Sequence, residues 1–194
     1  MTDYCTSTQL KRYIGTAQAG DDALLAELVT RASRRVDEYC GRTFVQRTET
    51  RKYDAVRDVD GRVLLVDDDL LAITTLTNGD GEVIAATEYV LLPTNDTPKH
   101  AIRIRASASN TWTYTTDPEE AIEIAGTWGF ALGTTAPDDI QHLTIRLAAW
   151  YYAQRKAPFE ATRLPGLGQT IIPASIPPDI ARGLDLYVRV RVGG

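Results

Sequence analysis

The spacing of apolar and polar residues changes twice along the chain. Near both ends, apolar residues recur every three or four positions, which is the spacing of one helix face. Between about Phe44 and Phe130, short runs of β-branched and aromatic residues are separated by turn residues, which is typical of β-strands. The pattern therefore predicts an α+β fold, with a small helical core and an inserted antiparallel β-rich block.

Two helices are predicted in the first 42 residues. In TSTQLKRYIG, Ser7 or Thr8 is expected to cap the helix and Gly15 to end it. The second helix occupies AGDDALLAELVTRASRRVDEYCGR, where Asp21 and Asp22 suit the positive end of the helix dipole. Its predicted apolar stripe consists of Leu25, Leu28, Ala32, Val36 and Tyr39.

Cys40 and Gly41 mark the end of the second helix. Glycine at this position can turn into the left-handed conformation that closes many helices. A cysteine at a helix C-terminus is a poor thiolate, because the dipole there disfavours negative charge. We therefore expect Cys40 to be structural and half-buried.

The central block contains seven short strand-like runs and one strong turn signal. TNGDGEV places Asn78-Gly79 and Asp80-Gly81 between apolar runs, and these residues tolerate the positive φ of a hairpin turn. Alternation in AIRIR and AIEIAG predicts a sheet with one face in water. The runs are FVQRTETRKYD, RVLLVD, LAITTLTNGDGEVI, TEYVLL, AIRIR, NTWTYT and EAIEIAGTWGF.

Helical spacing returns in APDDIQHLTIRLAAWYYAQRKAP. Pro137 suits a first turn, and the run stops before Pro158. One stripe consists of Ile140, Leu143, Leu147 and Tyr151, and further apolar residues lie on the other faces. A helix this apolar is expected at the centre of a core or between subunits.

The last 37 residues begin with a connection punctuated by proline and glycine, at 158–178. Long connections of this kind are usually functional or held by a partner. A short helix is expected after Pro177 and Pro178. Beyond it, alternation predicts an edge strand that could pair with another chain, formed by Leu186, Tyr187, Val188, Arg189, Val190, Arg191 and Val192.

Composition indicates one soluble, globular protein. The 194 residues include 43% hydrophobic and 24% charged residues, with a formal net charge of −5. Lysine and arginine are scattered, which argues against sequence-specific DNA binding. No segment has the roughly 18 consecutive apolar residues of a membrane span. Two cysteines and an N-terminus without the apolar core of a signal peptide predict synthesis in the cytoplasm.

Candidate catalytic and metal-binding residues are few. Asp67 to Asp69 could hold a cation, but a charged turn between strands is the favoured interpretation. DVDG resembles part of a calcium loop, yet the first ligand position falls on Val56 and no helices flank it. His100, in a predicted exposed loop, and His142, early in the long helix, are interpreted as ordinary surface or packing residues.

Motifs for nucleophilic or nucleotide chemistry are also missing from the sequence. It has no G-x-S-x-G and no phosphate-binding loop, and GLGQTI has Ile171 where a dinucleotide fingerprint needs glycine. We therefore predict no catalytic, cofactor or metal site and no enzymatic activity. Trp128 and Trp150 are interpreted as core residues, and exposed aromatics as interface anchors.

Three motifs follow one another along the chain: YCGR-x-F at the end of the second helix, I-x-x-LTN-x-DG in a strand and its turn, and G-TWG…P-DI before the long helix. In this order, the segments resemble the head-tail connector (adaptor) proteins of long-tailed bacteriophages and gene transfer agents. The resemblance covers roughly residues 7 to 190 and depends on the order of the segments.

The resemblance implies a structural virion protein. It would form one connector domain over residues 1–194, with a helical core at 7–42 and 137–190 and a β insertion at 43–136. Copies would assemble as a homo-oligomeric ring, a dodecamer, in the virion neck after synthesis in the host bacterial cytoplasm. The ring would join the portal protein to a stopper or tail-completion protein and extend the channel for non-specific double-stranded DNA.

Several surfaces are expected to serve this assembly. Portal docking is assigned to Leu184, Leu186, Val188, Arg189, Val190, Arg191 and Val192. Trp150, Tyr151 and Tyr152 would pack within the subunit and against a ring neighbour. The turn at 78–81 and the loop at 93–100 would face outward or toward the next neck component.

Two alternatives remain open from the sequence. One is another neck or tail-completion protein that uses the same sheet on a different ring. The other is a small ligand-binding or enzymatic domain with its site in the β block. Ring formation and metabolite-dependent melting would distinguish these classes.

Overall fold

The protein has the predicted α+β fold, and it divides into two compact units. The computed structural model describes residues 2–15, 19–156 and 176–189. The helical unit contains the described residues up to Gly41 and from Thr135 onward, and the β unit runs from Arg42 to Thr134. The predicted separation into helical segments and an antiparallel β block is confirmed.

Helix α1 (Ser7–Ile14) begins with a capping box. The Thr6 hydroxyl accepts a hydrogen bond from the Gln9 backbone N–H at 3.1 Å, and the Gln9 side-chain oxygen accepts one from the Thr6 N–H at 2.7 Å. The prediction of Ser7 or Thr8 as the cap is therefore wrong, because only Thr6 stands three residues before a glutamine that can reach back. Gly15 ends the helix with a φ of 70°, as predicted.

A short 3-10 turn at Ala19–Asp21 leads into helix α2 (Asp22–Cys40). Gly41 follows the helix with a φ of 64°, and its N–H donates to the Asp37 carbonyl at 2.8 Å. The buried face of the helix is rotated slightly about the helix axis relative to the predicted stripe, so that Leu28 and Tyr39 are not among its buried residues. It consists of Leu25, Val29, Ala32, Ser33, Val36 and Cys40.

Helices α3 (Asp138–Lys156) and α4 (Pro178–Asp185) complete the helical unit. Helix α3 packs against α1, α2 and α4. The contact with α4 is close at Gly183, where an added Cβ would lie 2.9 Å from Leu143 Cδ2. The buried residues of α3 include Ile140, Leu143 and Leu147 from the predicted stripe, with Thr144, Ala148 and Tyr152 beside them.

The β unit contains a six-stranded antiparallel sheet. Its strands are β1 (Arg47–Tyr53), β2 (Val59–Asp60), β3 (Val63–Thr77), β4 (Tyr89–Leu92), β5 (Lys99–Ile104) and β6 (Ile122–Trp128). The order across the sheet is β1-β6-β3-β5-β4, and β2 pairs with β3. The main path thus has β1 at one edge and β4 at the other, with the long strand β3 at its centre.

Strand β3 changes partners along its length. Its first part pairs with β5 and its second part with β6, and the register with β5 shifts between Leu65 and Leu70. Asp67 to Asp69 lie inside this irregular stretch. The prediction that they form a turn between strands is wrong, because the chain continues as one strand through an irregularity that tolerates polar residues.

The turn predicted at 78–81 is present, but it does not join two neighbouring strands of the sheet. The Asn78 N–H donates to the Glu82 carbonyl at 2.8 Å, and Gly81 adopts a φ of 87°. Beyond the turn, a single bridge joins Thr77 to Val83, and β4 then pairs with β5 instead of β3. The turn therefore projects from the end of the central strand.

One face of the sheet carries the core of the β unit. Trp128 is fully buried at the end of β6, as predicted. Aliphatic residues from three strands, β3, β5 and β6, pack in the same cluster: Leu64, Leu70, Leu76, Ile102, Ile104, Ile122 and Ile124. Burial of these side chains is the main favourable contribution to the folding of this unit.

Candidate assembly surfaces

The segment proposed for portal docking divides between a buried helix and an exposed turn. Leu184 is fully buried in α4, whereas Leu186 and Val188 are 85% and 40% exposed. Residues 186–189 form a turn and an irregular segment, so the predicted strand is wrong over this part. Val190, Arg191 and Val192 lie outside the described residues.

Two hydrogen bonds explain why the chain does not become a strand after α4. The Tyr187 N–H donates to the Leu184 carbonyl at 2.8 Å, which continues the helical turn. The Arg189 N–H donates to the Cys40 carbonyl at 2.8 Å, which fixes the segment at the end of α2. These contacts with other residues outweigh the strand preference that the alternating apolar and polar residues indicate, and the sequence pattern gives no sign of them.

Tyrosine–aspartate hydrogen bonds fix the C-terminal end of α4 and the segment that follows it. The Tyr39 hydroxyl donates to Asp185 at 2.6 Å, and the Tyr187 hydroxyl donates to Asp139 at 3.2 Å. The bond to Asp185 is the largest cause of a raised pKa of Tyr39. Burial, followed by the bond to Asp139, raises the pKa of Tyr187. Leu186 is thus held outward on a segment with fixed flanks.

The aromatic residues near the end of α3 have three different environments. The Tyr152 hydroxyl donates to the Asp21 carboxylate at 2.5 Å, so this buried side chain connects α3 to the start of α2. The Arg31 guanidinium lies 4.9 Å from the centre of the Tyr151 ring, which is half-buried. Trp150 is also half-buried, with its ring centre 5.3 Å from that of Tyr151, so it is not the core residue that was predicted.

Cys40 is fully buried, not half-buried as expected. Its Sγ lies 3.8 Å from the Leu184 carbonyl oxygen. Cys5 is also buried, and burial, with a contribution from the charge of Asp3, raises its pKa to about 12. A thiol with such a pKa stays protonated near neutral pH and is a weak nucleophile.

A group of arginines and carboxylates covers one end of the β unit core. The Arg51 guanidinium binds three carboxylates, donating to Asp67 at 2.9 Å, to Asp68 at 2.7 Å and to Glu49. Arg47 also binds Glu49 and Asp68. We call this set the Arg51 cluster, and it comprises Arg47, Glu49, Arg51, Asp67 and Asp68.

The Arg51 cluster is connected to the aromatic core. The Arg51 guanidinium carbon lies 5.0 Å from the centre of the Trp128 ring, and the Trp128 indole N–H donates to the Glu49 carbonyl at 3.2 Å. Tyr53 stacks on Trp128 with ring centres 6.4 Å apart and donates its hydroxyl to Asp67 at 2.8 Å. The cluster and the tryptophan therefore stabilise one another.

The partners in the cluster lower the pKa of two carboxyl groups. Burial acts to raise the pKa of Glu49, but hydrogen bonds from Arg51 and Arg47 outweigh it and leave the pKa below its ordinary value. Burial likewise opposes the shift at Asp67, where Tyr53 and Arg51 lower the pKa. Burial and the hydrogen bond to Asp67 raise the pKa of the Tyr53 hydroxyl. The charged form of both carboxylates is therefore favoured in the folded state.

The sequence did not reveal the Arg51 cluster. The charged residues Arg47, Glu49 and Arg51 stand at alternate positions of RTETRKY, and three consecutive aspartates follow later in the sequence, but the strand register that joins them is not visible there. Strand β1 reaches β3 only through the intervening strand β6, so the pairing depends on sheet order. The cluster uses Asp67 and Asp68 as partners of arginine, which leaves the cation-site interpretation without support.

Two loops of the β unit are held by side chains that donate to backbone carbonyls. Lys99 Nζ donates to the carbonyls of Pro93 and Thr94, at 2.7 and 3.1 Å. Arg62 donates to four carbonyls at 2.7 to 3.2 Å, those of Ile104, Arg105, Ala108 and Asn110. These loops are ordered by specific contacts and are not loose connections.

The residues of the predicted outward-facing turn and loop are only partly exposed. Asn78 is buried, and its amide binds the Thr111 carbonyl and the Thr113 N–H, whereas 80–83 are exposed. In the second loop, 94–97 are exposed. His100 is an exposed residue of β5 and not part of a loop, contrary to expectation. His142 packs edge-on against Tyr13 with ring centres 6.2 Å apart.

Neither a metal-binding cluster nor a helix able to span a membrane occurs among the described residues. Within residues 2–15, 19–156 and 176–189, histidine, cysteine and carboxylate side chains do not gather in a group of three or more suited to a metal. None of the helices described is both long and apolar enough to cross a bilayer. The GLGQTI segment lies outside the described residues.

Comparison with known proteins gives matches among solved structures. No protein-family model matches the sequence, and no curated protein matches it significantly. A chain in the neck of the empty gene transfer agent (GTA) particle, with C6 symmetry, matches with a TM-score of 0.59 and 20% identity. The match covers 97% of this chain and 91% of the other.

Two further structures give the same result. A chain in the neck of the native GTA particle, with C12 symmetry, has a TM-score of 0.58 and 17% identity, over 96% of this chain and 90% of the other. A chain in the virion of the native GTA particle has a TM-score of 0.55 and 18% identity, over 97% and 91%. This chain therefore shares its fold, over almost its whole length, with components of the gene transfer agent neck.

Proposed function

We propose that this protein is a structural component of a virion neck and that it acts as a ring of identical subunits. The observation that carries this proposal is the match to GTA neck chains over 96–97% of its length. Because the match includes residues of both the helical unit and the β unit, it is not limited to one common motif. The resemblance in sequence order supports the same role.

The proposed ring follows from the symmetry of the matched structures, C6 and C12. A closed ring needs two different surfaces on each subunit, because each copy contacts its neighbours head to tail. Trp150 and Tyr151 are suited to one such surface, since both are large, amphipathic and half-buried in the isolated chain. We propose that the ring contains twelve copies and that each subunit is a single connector domain.

The proposed ring joins the portal to a stopper or tail-completion protein and surrounds double-stranded DNA. The net charge of −5 suits a conduit that does not bind phosphates tightly, because attraction to the walls would hinder DNA passage. Portal docking is proposed for the segment from Leu186 onward. In this segment, Leu186 and Val188 project from a turn that is fixed at Tyr187 and Arg189.

Mixing the purified protein with its portal ring tests this function. We expect native mass spectrometry to show a complex that contains about twelve copies of the 21.4 kDa subunit per portal ring. Leu186→Asp with Val188→Asp should weaken attachment at least tenfold, because a charged side chain would have to be buried at the interface.

Val56→Asp is the matched control, because Val56 is also exposed but lies in the β unit. It should leave portal attachment within twofold of the unmodified protein. A protein that remains monomeric with every portal preparation would contradict the proposed role. Unchanged attachment of the variant with both Leu186 and Val188 replaced would refute the proposed docking segment but not the proposed role in the neck.

A further inference from the structure

Two segments of the β unit hold all of the excess negative charge of the chain. Residues 78–88 and 106–121 contain six acidic residues and no lysine or arginine. The whole chain has 26 acidic and 21 basic residues, so the remainder has 20 and 21 and is almost neutral. The acidic residues are Asp80, Glu82, Glu88, Asp117, Glu119 and Glu120.

The fold brings these two segments together into one surface, which we call the acidic tip. The Asn78 side chain donates to the Thr111 carbonyl at 2.9 Å, and the Thr113 N–H donates to Asn78 at 3.2 Å. Gly79 forms a bridge with Tyr114, and its carbonyl accepts from the Thr115 N–H at 3.3 Å. The acidic residues of the two segments are therefore close in space and form one negatively charged region.

Gly79 allows the two segments to approach closely. A Cβ at this position would lie 2.4 Å from the Thr113 carbonyl oxygen and 2.9 Å from the Ala121 Cβ, and neither distance is possible for a real side chain. A residue other than glycine would push the segments apart. The acidic tip thus depends on a close backbone contact as well as on the Asn78 hydrogen bonds.

Two cations lie beside the tip. The Arg62 guanidinium donates to the Ala108 and Asn110 carbonyls of the second segment. Lys52 Nζ lies 3.8 Å from Glu120 and 3.3 Å from Glu123. Glu88 is used internally, since it accepts hydrogen bonds from Asn110 and from the Ala85 N–H. Asp80, Glu82, Asp117 and Glu119 are exposed. Their charges face solvent in the isolated chain.

Apolar side chains project among these carboxylates. Val83 is 60% exposed and Tyr114 is 43% exposed. They flank one short segment, because Val83 bridges Thr77 and Tyr114 bridges Gly79. Trp112, two residues before Tyr114, is half-buried, and its indole N–H has no acceptor among the described residues. Exposed aromatic and aliphatic side chains that are surrounded by charged residues are typical of protein interfaces.

We infer that the acidic tip is a docking surface for a basic protein surface that has an apolar pocket for Tyr114 and Val83. Charge complementarity selects this partner, because carboxylates without nearby cations favour lysine and arginine on the facing surface. DNA is disfavoured as the ligand because its phosphates have the same sign as the tip. A second copy of the tip is disfavoured for the same reason.

The inference rests on the proposed function, since the neck would supply the partner as its next protein component. Docking through the tip would use none of the residues proposed for portal docking. The helical unit and the β unit would then each contribute one docking surface. Such a division suits a subunit that joins two rings.

Photocrosslinking in intact particles tests this inference. Tyr114 is replaced by p-benzoylphenylalanine in the full chain, assembled particles are irradiated, and cross-linked peptides are identified by mass spectrometry. Val56, exposed elsewhere in the β unit, receives the same replacement as a control. We expect position 114 to link to a different particle protein, at a peptide rich in lysine and arginine, and position 56 not to link to that peptide.

Charge reversal provides the second measurement. Asp117→Lys with Glu119→Lys should lower the cross-link yield from position 114 at least tenfold, because attraction becomes repulsion. Asp60→Lys with Asp96→Lys makes the same change of charge at exposed positions outside the tip. In this control, the cross-link yield from position 114 should stay within twofold of the yield without the charge changes. Thermal melting of each variant shows whether the fold is retained.

The possible outcomes separate the two proposals. Links to another copy of this chain, to DNA or to no molecule would overturn the docking surface, as would a yield that charge reversal does not change. In those cases the neck role would stand if the protein is present in purified particles. Absence of the protein from purified particles would overturn both.

Discussion

Trp128→Ala is expected to unfold most of the β unit near physiological temperature. Trp128 is fully buried, stacks on Tyr53, lies under the Arg51 guanidinium and donates its N–H to Glu49. Truncation of a buried tryptophan costs about 3–5 kcal/mol. That is a large fraction of the roughly 5–15 kcal/mol that stabilises a typical domain.

Calorimetry and circular dichroism would measure this effect. We expect the melting temperature of the β unit to fall by about 15 °C or more, given about 4–8 °C per kcal/mol for a domain of this size. Trp150→Ala is the matched control, because Trp150 is half-buried on α3 in the other unit. It should cost about 1–2 kcal/mol, as for a partly buried side chain. Equal losses for the two variants would contradict the assignment of Trp128 as the centre of the β core.

Arg51→Met is expected to destabilise the β unit by about 2–3 kcal/mol at pH 7, since it leaves partly buried carboxylates with fewer partners. Glu49 and Asp68 would keep Arg47, and Asp67 would keep the Tyr53 hydroxyl. The loss should therefore be smaller than for a completely isolated buried charge. Arg103→Met, at an exposed position on β5, should change stability by less than about 0.5 kcal/mol.

The pH dependence of stability distinguishes this electrostatic effect from simple loss of packing. The folded protein lowers the pKa of Glu49 and Asp67 from ordinary values of 4.5 and 3.8. Their contribution is present above those values and is lost as the pH falls through the lower folded-state pKa. The free-energy difference between the unmodified protein and Arg51→Met should therefore shrink over the acid range below about pH 4.5, as each carboxylate is protonated in the folded state. A difference that stays constant over this range would refute the proposed cause.

Local signals predicted much of the helical unit. The ends of α2 and the starts of α3 and α4 follow from Gly41, from the aspartates of the first turns and from the prolines beside them. These signals act within one helical turn, so the sequence contains them in full. The turn at 78–81 was predictable for the same reason.

Contacts between distant residues could not be predicted in this way. The segment after α4 has the alternation of a strand, but the bond from Arg189 to the Cys40 carbonyl holds it in another conformation. Asp67 and Asp68 look like turn residues because their arginine partners lie on another strand. The acidic tip likewise depends on Asn78 joining a segment more than thirty residues away.

The structure also shows why the order of segments was informative about the fold when single motifs were not. The three motifs of the resemblance each contain a boundary between structural elements, such as the end of α2 at Gly41 and the end of β6 at Trp128. Boundary residues such as glycine and proline are constrained by backbone conformation. Surfaces that contact partners have no such constraint, which is why the docking residues remained predictions.

A cryo-electron microscopy reconstruction of the neck, from particles that contain this chain, tests the central claim most directly. We predict a closed ring between the portal and the tail side, into which twelve copies of the described helical and β units fit. A neck without density for this chain, or a chain found only as a monomer outside the particle, would contradict it.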